Sequence, residues 1–152
     1  KGQNKAFVAG VGGLFVKALR EAKSDLPKSE IMNALRVVGE DMRQQPAQER
    51  VLFLISDMLE HSDYTSFYAS DKISNLNVDK ELKLAGDKHL FADLDQARVY
   101  VTGAGLVTDK VKHAYRSGKT MGLINDFWKN YFASSNASLM AFGAPSLNVD
   151  LH

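Results

Sequence analysis

No stretch constrains this chain more than Val51-Leu52-Phe53-Leu54-Ile55, a run of β-favouring apolar residues without polar alternation that stops abruptly at Ser56-Asp57. Such a run reads as a strand covered on both faces, the situation of a strand inside a parallel sheet. Two further segments repeat the pattern. Arg98-Val99-Tyr100-Val101-Thr102 is closed by Gly103-Ala104-Gly105, and Ser138-Leu139-Met140-Ala141-Phe142 is closed by Gly143-Ala144-Pro145. Between the last two, Met121, Leu123, Ile124, Phe127, Trp128, Tyr131 and Phe132 share one broad face of a helix predicted over Thr120 to Ser134. Strand, long excursion, strand, helix, strand is an α/β order. Right-handed crossovers then make the three strands parallel neighbours in sequence order.

Helical spacing also marks the N-terminal part. Phe7, Val8, Val11, Leu14, Phe15, Ala18, Leu19 and Ala22 recur at intervals of one, three and four, interrupted by three glycines. Ser24-Asp25-Leu26-Pro27 breaks this pattern, and Ser29 stands where an N-cap would open a second helix with Met32, Leu35, Val38 and Met42 as its stripe and Pro46 beyond its end. Glu60 to about Gly86 is polar and lacks periodicity, and is expected to be an irregular excursion with a short helical turn near Tyr64 to Tyr68.

At 152 residues with 45% hydrophobic and 24% charged side chains, the chain can fill one core, and it shows no repeat or second domain. Nineteen basic against 18 acidic residues leave a net charge of +1, which gives no global field for nucleic acid or an anionic membrane. The absence of cysteine removes disulfides, thiolate catalysis and Cys-ligated zinc, and leaves the compartment undecided. Ala6 to Val16, an uncharged and mostly apolar stretch, is too short to span a bilayer. The start at Lys1 is expected of a processed product or a fragment.

In open α/β sheets ligands collect outside the carboxyl ends of the strands. Three motifs fall there. Ser56-Asp57-Met58-Leu59-Glu60-His61-Ser62-Asp63 offers hydroxyl, carboxylate and imidazole donors suited to a divalent cation, or alternatively a polar loop whose Ser and Asp cap the next helix. Gly103-Ala104-Gly105-Leu106-Val107-Thr108 approaches a dinucleotide fingerprint, but the charged, poorly periodic stretch from Asp109 to Lys119 does not supply the helix that motif requires. A glycine turn by which the chain leaves the sheet is the better reading. Ser117-Gly118-Lys119-Thr120 resembles the end of a P-loop, yet His113 occupies the position of the earlier glycine. The four histidines show no zinc-binding spacing, no Gly-x-Ser-x-Gly elbow exists, and the helical aromatics lack interleaved basic residues for nucleic acid.

Ser29-Glu30-Ile31-Met32-Asn33-Ala34-Leu35, then Val51 to Leu59, then Val99 to Gly105, resemble in order and spacing the later part of a von Willebrand factor A-like domain. Phe127-Trp128-Lys129-Asn130-Tyr131-Phe132 with Ala137 to Pro145 resembles the last helix and strand of bacterial, still poorly characterised members of that superfamily. The resemblance implies a three-layer, Rossmann-like α/β fold with a mainly parallel sheet, the chain 1–152 being a single domain that lacks its first strands. It implies a non-enzymatic protein-interaction module with a metal-ion-dependent adhesion site, in which Ser29 takes the place of a threonine and Asp57 that of the aspartate after the fourth strand. Glu60, His61 and Asp63 would then face a partner. The family's Asp-x-Ser-x-Ser loop is missing from this chain, so the site is expected to be partial or degenerate, with Mg2+ or another divalent cation bound weakly or not at all. The Ser29 hydroxyl and Asp57 carboxylate are expected to lie close together, and a protein partner or missing segment is expected to complete the sheet at the Val51–Ile55 edge. The competing readings are a Rossmann-type nucleotide-binding enzyme using Gly103 to Gly105, and a scaffold in which Ser29 and Asp57 only cap helices.

Overall fold

The computed structural model describes residues 28–68, 70–104 and 118–143. Helix α1 (Ile31–Gln44) precedes β1 (Val51–Ile55), α2 (Ser70–Ser74) and α3 (Val78–Asp87) lead to β2 (Ala97–Thr102), and α4 (Gly118–Ser134) leads to β3 (Ala137–Phe142). The strands form one sheet in the order β1-β2-β3, and both pairings are parallel, as the order of segments predicts. Leu52 and Leu54 stand opposite Val99 and Val101, and Val99 stands opposite Leu139. An irregularity after Val99 then sets Tyr100 against Ala141 and Val101 against Phe142.

Alternation along the strands sorts the side chains into two faces. Leu52, Leu54, Ala97, Val99, Val101, Leu139 and Phe142 join a single core with residues from all four helices. Its centre is α4, whose Ile124, Phe127, Trp128, Tyr131 and Phe132 are fully buried. The aromatic rings meet edge-on or tilted, Phe127 to Trp128 at 5.1 Å and Trp128 to Tyr131 at 5.2 Å. Each polar tip has a main-chain acceptor: Trp128 Nε1–H donates to Met58 O at 2.9 Å, and Tyr131 Oη–H donates to Leu90 O at 2.7 Å. Burial pushes the Tyr131 hydroxyl well above its ordinary pKa.

β1 differs from expectation. Only its even positions turn to the core, while Val51, Phe53 and Ile55 are 39%, 48% and 60% exposed. Among the described residues it is an edge strand, and the described helices all feed the core on the opposite face. The unbroken apolar run is thus compatible with a second layer over the sheet, but no described element supplies it.

Two helix expectations are also corrected. Ser29 does not cap α1: the N-cap position is Glu30, with no side-chain cap bond, and Ser29 instead makes an antiparallel bridge to His61. The predicted turn at Tyr64 to Tyr68 is not helical. The helical part of the excursion comes later, in α2 and α3. Asn77 caps α3 by accepting from Lys80 N–H at 3.0 Å, Asp79 and Glu81 lie in the first turn, and Val78, Leu82 and Ala85 turn to the core. The stripe of α1 is as predicted in Met32, Leu35 and Met42.

Gly39 shows how closely α1 lies on the loop before β2. A Cβ there would sit 2.6 Å from Asp93 O. Alanine raises intrinsic helix propensity by about 1 kcal/mol, yet overpacking against main chain costs about 1–3 kcal/mol. We expect Gly39→Ala to lower the melting temperature, and a rise would show that α1 does not approach Asp93. Phe7 to Ala22, Gly105 to Ser117 and Ala144-Pro145, named above for a helix, motif or turn, lie outside the described residues.

Candidate functional site

The loop after β1 is shaped by its own first side chains. Ser56 Oγ accepts from Met58 N–H and Asp57 Oδ1 accepts from Leu59 N–H, both at 3.0 Å. These two local turns, with Met58 at φ 61°, reverse the chain and drive Met58 and Leu59 into the core. Ser56 and Asp57 therefore shape the turn itself and do not cap a following helix. Gly103 stands beside them at φ +90°, and a Cβ on it would lie 3.3 Å from Ser56 O. Close approach of the two strand ends accounts for this glycine without a phosphate ligand.

Beyond Leu59 the loop is pinned from three directions. His61 exchanges main-chain hydrogen bonds with Ser29, both at 2.9 Å, and its Nδ1 lies 2.8 Å from Ser66 Oγ. Tyr68 Oη–H donates to Asp57 Oδ2 at 2.8 Å, and its ring meets the His61 imidazole edge-on at 5.8 Å. Thr65, itself buried, donates to Glu81 Oε2 at 2.7 Å, with Lys72 Nζ 3.3 Å from the other Glu81 oxygen. Asp63 is at the surface, where Lys28 pairs with it. Exposed pairs of this type add little stability.

Ser29, Asp57, His61 and Asp63 thus all belong to one edge, at the carboxyl end of β1. The main chain of Ser29 joins it to His61, while the link from His61 to Asp57 runs through Tyr68. Glu60 does not share this surface. It is 0% exposed, Oε2 accepts from Met32 N–H at 3.1 Å, and Oε1 accepts from Tyr64 Oη–H at 2.8 Å. Its carboxylate does for α1 what Ser29 does not, satisfying a donor in the first turn from across the fold. Burial raises the Glu60 pKa above its ordinary value against the opposing effect of those hydrogen bonds, and raises that of Tyr64 as well.

Tyr68, Ser66, Tyr64, Lys72 and Glu81 were not singled out from sequence. Tyr64 follows Glu60 by four positions and could have been paired with it, but the others are joined only by the tertiary path of the loop.

The donor set argues against a magnesium site. Among the described residues no three His, Asp or Glu side chains converge, and both Asp57 oxygens already accept hydrogen bonds. A hard cation would need several oxygen ligands placed together, and the described residues do not supply them.

An open cleft of about 420 Å³ lies at the opposite, amino end of the strands, lined by Gln48, Glu49, Arg50, Asp95, Gln96 and Arg98. Its charges are spent on each other, Arg50 with Asp95 at 2.9 Å and Arg98 with Glu49 at 3.2 Å. Among the described residues no helix is long and apolar enough to cross a membrane. No protein-family model, curated protein or solved structure matches the chain.

Proposed function

We propose that this chain is a protein-interaction module of von Willebrand factor A type, non-enzymatic, with a degenerate metal-ion-dependent adhesion site. The observation that carries the reading is the coupled edge at the end of β1: Asp57 held by Tyr68, Tyr68 against His61, and His61 paired with Ser29. The all-parallel sheet, with this hydroxyl- and carboxylate-bearing loop at its carboxyl end, supports it further. Asp57 serves as an organiser of the loop, and the recognition surface is His61 and Asp63 with Lys28 beside them. The outer edge of β1, which has no strand neighbour among the described residues, would take a completing strand from a partner or from a further segment.

The rival classes respond differently to ligands. A ligand at 100 times its Kd stabilises the folded state by about 2.7 kcal/mol, which raises the melting temperature of a chain this size by several degrees. A dinucleotide enzyme would show this rise with NAD or NADP, and an intact adhesion site would show it with Mg2+, Mn2+ or Ca2+. For the proposed module neither series moves the melting temperature. A saturable rise with a dinucleotide would replace this reading with the enzyme, and one with Mg2+ would restore the metal site.

A further inference from the structure

We infer that Glu60 is a proton-operated latch on the His61 edge: while its carboxyl is protonated it holds the loop after β1 against the start of α1, and loss of that proton opens the main-chain pairing of Ser29 with His61. As regulation of recognition this rests on the function proposed above, whereas the opening itself does not. The geometry makes Glu60 the joint. Its side chain reaches Met32 N–H, three residues past Ser29, and the Tyr64 hydroxyl. Its own carbonyl accepts from Phe67 N–H at 2.7 Å, which closes the far side of the same loop. The next residue, His61, exchanges its two main-chain hydrogen bonds with Ser29.

The carboxyl is fully buried, and among the described residues no cation pairs with it. The cations of this region have other partners: Lys28 pairs with Asp63 and Lys72 with Glu81, while Arg36 of α1 acts on Tyr131 of α4. The His61 imidazole turns to Ser66 and Tyr68. Tyr64 and Tyr131, the phenols beside Glu60 from its own loop and from α4, have their pKa raised and stay neutral while Glu60 titrates. A carboxylate withdrawn from water without a counter-ion is costly. Burial outweighs the donors from Tyr64 and the first turn of α1, so the carboxyl keeps its proton above the ordinary range. An outward turn of the residue returns the carboxylate to water, releases Met32 N–H and, because His61 follows directly in the chain, parts His61 from Ser29. The closed edge holds a proton that the open edge has released. Linkage therefore favours opening by about tenfold per pH unit from the ordinary value of 4.5 up to the folded value, and opening levels off above it.

Amide hydrogen exchange in the full chain, corrected for the intrinsic rate at each pH, reads the opening. Ser29 and His61 should be less protected than Phe127 and Tyr131 inside α4, since the edge parts without global unfolding. Their protection should fall about tenfold per pH unit over this window in the parent and stay level in Glu60→Gln, which has no proton to lose. Protection equal to that in α4 would mean that the edge opens only when the whole fold does. A level profile in the parent, or a fall that persists in Glu60→Gln, would mean that Glu60 does not control the pairing. Each of these results overturns the inference. If Glu60→Gln does not fold, NMR titration of the Glu60 carboxyl carbon in the parent decides: a midpoint shared with the levelling of protection supports the latch, and a different midpoint overturns it. No partner takes part in these measurements, so failure of the latch and failure of recognition at the His61 edge are read separately.

Discussion

Trp128→Ala is expected to be the most destabilising single change in the described fold. The indole is fully buried, touches Phe127, Tyr131 and Phe132, and donates to Met58 O. Large-to-small truncation of a buried Trp costs about 3–5 kcal/mol, a drop of about 10 °C or more in melting temperature for a chain of this length. Trp128→Phe isolates the polar part. It keeps most of the packing but leaves the Met58 carbonyl without its donor, a loss of about 1–3 kcal/mol. Because Met58 sits within the turn that Ser56 and Asp57 form, this variant should also speed amide exchange in residues 58–68 more than in α3. Thermal denaturation and hydrogen exchange measure the two effects. A Trp128→Ala protein that melts with the parent would place the indole outside the core.

Glu60→Ala is expected to follow closely. It strips the acceptor from Met32 N–H and Tyr64 Oη–H together in a fully buried position, which together with the cavity costs about 3 kcal/mol. Glu60→Gln separates charge from shape. The amide oxygen can accept from Met32 and the amide nitrogen can donate to Tyr64, so at low pH the variant should be close to the parent in stability. The pH dependence gives the sign. Since the folded pKa of Glu60 is raised above 4.5, the folded chain holds its proton where the unfolded chain has released it. The resulting stability is fully present below about 4.5 and is lost as pH rises through the folded value. Glu60→Gln carries no such proton, so its stability relative to the parent should increase over that window. Urea denaturation at a series of pH values tests this, and a difference that shrinks with rising pH would mean that the Glu60 carboxyl is not desolvated.

These two residues also show what could be read from sequence. Trp128 was legible because a helix repeats every 3.6 residues, and Ile124, Phe127, Tyr131 and Phe132 on the same face outweigh any reading of the aromatics as a contact surface. The parallel order of the three strands was legible for a similar reason, since short apolar runs ending in Ser-Asp or glycine mark strand ends. Glu60 was not. A glutamate in a polar stretch looks solvated, and only the path of the chain after Leu59 carries it under α1. Ser29 was misread for the same cause, because the donor it would have capped is satisfied by a residue distant in sequence. The helix α3 was missed: Asn77, Asp79 and Glu81 carry its start signal, but the polarity around them reads as an irregular excursion. For β1, uniform hydrophobicity pointed to cover on both faces, whereas the described residues cover one.

Site-specific photo-crosslinking from residue 63, in cells that make the protein, tests the proposed recognition edge most directly. A photoreactive side chain replacing Asp63 should capture a discrete protein, and the same group replacing Glu49 at the amino end should not. Capture should persist when divalent cations are chelated and should be lost in Asp57→Ala, which removes the acceptor of the Tyr68 hydroxyl and of Leu59 N–H, with circular dichroism checking that the variant keeps its fold. Capture that disappears on chelation would show a working metal site. Equal capture from residues 63 and 49, or none from residue 63, would contradict recognition at the carboxyl edge.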